Sequence, residues 1–141
     1  MRSTIIALAT LAGLVGSPAN AAGYLGARAE PLPPLRIGLG DTGYGLEPKE
    51  YTLETGKGYR LTVNSTGAVE CVLDMRDFLD NVWLRQAKAG EVEFLNAKLS
   101  VVELDDEGEF ELTFVPVRPG QYPFACRGLE ERGMTGIIRV E

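Results

Sequence analysis

The sequence predicts an all-β domain: a two-sheet β-sandwich with one short helical insert. Three observations lead there. Apolar and polar residues alternate in short stretches along most of the chain, as in Tyr59-Arg-Leu-Thr-Val63 and Glu109-Phe-Glu-Leu-Thr-Phe114. Turn residues separate these stretches at close intervals, including Thr55-Gly-Lys-Gly58 and Pro119-Gly120. Helical spacing is confined to one place, residues 74–84. Strands that are apolar on one face must bury it against another layer, and seven or so of them without a helical layer make a sandwich.

At 141 residues the chain holds one domain. Its start reads as a secretory signal peptide over residues 1–21. Met1-Arg2 is basic, Ile5 to Val15 is apolar and uncharged, and Ala19-Asn-Ala21 is an A-x-A cleavage pattern. The apolar run is too short to span a bilayer, so the mature chain is expected in the periplasm with no membrane insertion. Residues 22–34 are rich in Ala, Gly and Pro and form an extended lead-in. The folded domain is expected over 35–141.

Leu35 to Leu39 is the first candidate strand, followed by a Gly-rich loop over residues 38–45. No Lys-Ser/Thr follows that loop, so it reads as a plain loop and not a phosphate cradle. Glu50 to Glu54 and Tyr59 to Asn64 alternate on either side of the Thr55-Gly-Lys-Gly58 turn and are read as a hairpin. Ala68 to Leu73 is a mostly apolar strand interrupted by Glu70. Met75, Phe78, Leu79 and Val82 recur at spacings of three and four, which predicts a helix of two to three turns over 74–84, with Trp83 as a core plug. Val92, Phe94 and residues 99–104 supply more strand, and Asp105-Asp-Glu-Gly108 is an acidic turn. Phe110, Leu112 and Phe114 point inward from the next strand. Pro119-Gly120 then starts a closing hairpin of Tyr122–Cys126 and Thr135–Val140.

The formal net charge is −6, which argues against nucleic acid or an anionic membrane as partner and favours cations or a basic partner. The chain has no histidine. That excludes His-based triads, H-E-x-x-H sites and imidazole proton shuttles, and no enzymatic function is expected. Two cysteines, Cys71 and Cys126, in a chain bound for an oxidising compartment can form one disulfide. Cys126 is open to three roles: disulfide half, metal thiolate, or buried thiol. Glu70 inside an apolar strand calls for a cation or a donor. Met134 can serve as a weak thioether ligand or as core packing. The acidic residues at 103 and 105–107, like Glu130 and Glu131, read as solvated surface.

The C-terminal order of strand, Cys126, short loop, Gly133-Met134, Gly136 and strand resembles the copper-binding loop of cupredoxins. In that family the loop carries a Cys, a His and a Met on one metal. Here Leu129 stands where the His would be. Glu70, in Ala68-Val-Glu-Cys71, takes the place of the family's other, earlier His. Glu47-Pro48, Thr55-Gly-Lys57, Ala68-Val-Glu70 and the Pro119-Gly-Gln-Tyr122…Cys126 run together resemble the His-lacking cupredoxin-like domains of EfeO-type periplasmic iron-uptake proteins. The resemblance covers most of residues 35–141. It departs at Leu46, where a Cys is common, and in lacking the helical peptidase-like domain.

The resemblance implies a Greek-key, cupredoxin-like sandwich that binds or transfers iron or copper at a non-blue site. Glu70, Cys126, Met134 and Cys71 would be its ligands, and a periplasmic or membrane transport protein its partner. Cys and Met suit Cu(I), whereas Glu suits a harder ion such as iron. The alternative is a metal-free sandwich stapled by Cys71 and Cys126, acting as an interaction or accessory module.

Overall fold

The computed structural model describes residues 28–141. The signal peptide at 1–21 and residues 22–27 of the lead-in lie outside the described residues. Twelve strands form two sheets that face each other across one core. The first sheet contains β1 (Glu30–Pro31), β2 (Leu35–Leu39), β3 (Gly45–Glu47), β5 (Tyr59–Thr66), β7 (Val82–Ala89), β8 (Val92–Leu95) and β10 (Glu107–Pro116). The second contains β4 (Glu50–Leu53), β6 (Cys71–Asp74), β9 (Val101–Leu104), β11 (Gly120–Cys126) and β12 (Thr135–Val140).

In the first sheet the order is β3-β2-β5-β10-β7-β8. β1, from the lead-in, and then β2 pair in turn, both parallel, along one side of β5. In the second sheet the order is β4-β12-β11-β6-β9. The alternating residues point inward as period two requires, with Tyr59, Leu61 and Val63 meeting Phe114, Leu112 and Phe110 across the β5–β10 ladder. The closing hairpin forms as read, with β11 antiparallel to β12.

Two elements differ from the sequence reading. Residues 50–64 are not a hairpin. β4 pairs in parallel with β12 in the second sheet, while β5 lies in the first. Their apolar faces oppose one another across the core, and a hydrogen bond from the Glu54 N–H to the Tyr59 hydroxyl (2.9 Å) spans the crossing.

The helix over 74–84 shrinks to a single turn, α1 (Arg76–Leu79). The Asn81 N–H bonds back to Phe78, which tightens the turn to a three-residue spacing, and β-branched Val82 enters β7 opposite Pro116. The helical spacing was real for buried Met75, Phe78 and Leu79. Val82 matched it only by continuing into a strand. Trp83 is not a core plug; it stands 39% exposed on the surface.

Phe78 fills the core between the sheets. Its ring meets Phe114 of β10 edge-on at 5.2 Å and Tyr122 of β11 at 5.8 Å. Such aromatic contacts add roughly 0.5–1.5 kcal/mol each beyond the area they bury.

Candidate metal centre

The residues singled out from the sequence gather around β6. This strand lies between β9 and β11, with Cys71 opposite Leu104 and Leu73 opposite Cys126. Cys71 and Cys126 are fully buried, their Cα atoms 5.0 Å apart, and their sulfurs bonded at 1.95 Å. The bond staples two neighbouring strands of one sheet.

Met134 is also fully buried and belongs to the core cluster. Its carbonyl accepts the Cys126 N–H at 2.9 Å, and its own N–H bonds to Leu129 at 3.2 Å. Leu129, in the place of the family's histidine, packs against the core. The loop it belongs to is held by its own contacts. Arg127 pairs with Asp74 at 2.8 Å, the Arg132 guanidinium lies 4.9 Å over the Tyr44 ring, and the Lys49 ammonium donates to the Gly133 carbonyl.

The set Glu70, Cys71, Cys126 and Met134 is therefore not assembled as one metal site. A half-cystine has no thiolate to donate. The Met134 thioether is sealed in the core. Glu70, just ahead of β6, is exposed. Period two explains this last point, because the residue before an inward Cys71 faces outward. A blue copper centre needs two His and one Cys, and this donor set does not fit it.

Glu70 instead joins a different group. The ladder sets Cys71 opposite Leu104 and Val72 opposite Glu103, so Glu103 and Asp105 flank Leu104 on the side where Glu70 enters β6. The carboxylate oxygens of Glu70, Glu103 and Asp105 lie within 4.8 Å of one another, all exposed. Among the described residues this is the one group of three acidic or cysteine side chains so close together. No lysine or arginine among the described residues is ion-paired with any of the three. Three like charges this close repel, and a bound cation would relieve them. Read from sequence alone, Glu103 and Asp105 are solvated surface. Their convergence on Glu70 depends on a pairing across some thirty residues of chain, which no local motif announces.

At the far end of β6, Asp74 accepts hydrogen bonds from the guanidinium groups of Arg127 and Arg76 and from the Arg76 backbone. The Arg127 hydrogen bond above all holds the Asp74 carboxyl below its usual range; burial opposes it, and Arg76 adds a lesser lowering.

No protein-family model matches the chain. A search of curated proteins likewise finds no match. Solved structures do align with it. A multicopper oxidase from Campylobacter jejuni, described as a metallo-oxidase, matches at TM-score 0.56 and 12% identity, over 80% of this chain and 30% of its own. A multi-copper oxidase from Pseudomonas thermotolerans matches at TM-score 0.54 and 14% identity, again over 80% of this chain and 30% of its own. Copper nitrite reductase from Nitrosomonas europaea matches at TM-score 0.51 and 10% identity, over 64% of this chain and 32% of its own. The chain thus spans under a third of each of these larger proteins. At these identities the likeness concerns the fold, which is the cupredoxin-like sandwich.

Proposed function

We propose that this is an exported cupredoxin-fold protein that binds a hard metal cation, iron in preference to copper, at the Glu70, Glu103 and Asp105 carboxylates. The observation that carries the reading is the convergence of those three side chains within 4.8 Å, with no lysine or arginine among the described residues ion-paired to them. Oxygen donors suit a hard ion, and an exposed site suits uptake and release better than permanent retention. The basic, apolar, A-x-A start of the sequence supports export to the periplasm, where a transport protein would be the receiving partner. The role is binding and not catalysis, as the lack of any histidine supports.

Calorimetric titration of the full, unreduced chain with ferrous iron tests this. Binding is expected, with Glu70→Gln weakening it at least about tenfold, equivalent to ~1.4 kcal/mol. No intense blue band is expected with copper. A native protein that takes up no iron, or an E70Q variant with unchanged affinity, overturns the proposal.

The Cys71–Cys126 bond favours a second reading, a metal-free interaction or accessory module held by its disulfide. It requires no free thiol in unreduced protein together with no metal uptake.

A further inference from the structure

We infer that two copies of this chain associate by pairing their β8 strands edge to edge, antiparallel about a two-fold axis at Phe94. Among the described residues β8 is the last strand of the first sheet and pairs on one side only, with β7. Its four residues are all exposed, and three are large and apolar: Val92 at 56%, Phe94 at 51% and Leu95 at 67%. The opposite edge of the same sheet is blunted, since β3 has three residues and runs straight into Pro48. β8 has no proline, and its one charge, Glu93, already stands opposite Lys88 on β7.

The backbone fixes which groups face outward. Antiparallel pairs alternate between bonded and non-bonded. The Asn96 N–H donates to the Arg85 carbonyl at 3.0 Å, continuing the β7–β8 ladder. Asn96, Phe94 and Val92 therefore spend their backbone groups on β7, and Glu93 and Leu95 direct theirs to the open edge. An antiparallel partner must match outward groups with outward groups. Centring on Glu93 sets two carboxylates face to face, which is unfavourable. Centring on Leu95 shifts the strands apart and leaves Val92 uncovered.

Centring on Phe94 sets Glu93 opposite the second copy's leucine and makes about four new backbone hydrogen bonds. It also brings the two Phe94 rings together at a non-bonded pair, where side chains approach most closely. Phe94 shares its face with buried Ala87 and Leu112, so pairing continues the core face of one sheet into the other. In this register the strand matches itself in backbone and apolar surface and sets no like charges face to face, which is what a two-fold contact needs. With nearby Trp83, the exposed apolar area is roughly 400 Å² per copy, about half the ~800 Å² of a standard partner surface. That points to a weak dimer. Each chain carries −6, so added salt should strengthen it.

Sedimentation velocity on the full chain, from about 1 μM to about 1 mM, tests the proposal. A dimer growing with concentration is expected, and Phe94→Glu should weaken it at least about tenfold with unchanged circular dichroism. Under air oxidation, with dissolved oxygen taking the two electrons, Phe94→Cys should form an interchain disulfide, located by peptide mapping, while Leu95→Cys should not. A monomer throughout the range, growth beyond a dimer, a dimer that F94E leaves intact, or cross-linking through L95C in preference to F94C would each overturn it.

Discussion

Cys71 and Cys126 illustrate how one covalent choice settles the chemistry around it. Bonded to each other, they act on stability instead of on a metal. Their separation of 55 residues gives a loop-closure stabilisation of about 4 kcal/mol in the chain-entropy model. Cys126→Ser should lower unfolding free energy by about that much in urea titrations of unreduced protein, with dithiothreitol reproducing the loss in the wild type. Asp74 acts through charge. Its carboxyl, held down by Arg127, stabilises the fold above its ordinary value of 3.8 and ceases to do so as pH falls through the lowered native value. At neutral pH the pairing is worth under about 1 kcal/mol, because the groups are partly solvated. Acid titration of Asp74→Asn should therefore show a smaller loss of stability below pH ~4 than the wild type.

At the level of elements, α1 is short but consequential. Phe78→Ala removes a ring buried between both sheets and should cost about 3–5 kcal/mol, read from thermal or urea unfolding. In β12, a methyl at Gly136 would lie 2.4 Å from the Phe124 ring and 2.5 Å from the Lys49 carbonyl, so Gly136→Ala should destabilise by roughly 1–3 kcal/mol. Gly108→Ala in β10 meets nothing within 4 Å and should change stability by less than about 0.5 kcal/mol. The strands that were legible in the sequence are those whose alternation is local, such as β5 and β10. What alternation cannot say is which strand pairs with which. β4 and β5 look like a hairpin because their faces match, and they match because they oppose each other across the core. The candidate site was half legible for the same reason. Glu70 stands out as a charge amid apolar residues, but Glu103 and Asp105 become its neighbours only through the β6–β9 register.

For the whole molecule, the sandwich is closed by its own side chains. Leu129 and Met134 complete its core, a disulfide fastens the second sheet, and an ion pair, a cation–π contact and a lysine hydrogen bond hold the connecting loop. The acidic group and the open β8 edge both lie on the outside, so binding at either requires no opening of the interior. The position of the disulfide also governs how the molecule would respond to a mechanical pull on its two ends. Residues 71–126 form a closed ring, so traction would straighten only the flanking segments, and the ring would withhold about 190 Å of contour length. In an optical trap, oxidised protein should yield a correspondingly shorter extension, and a reducing agent added to the chamber should restore the missing distance.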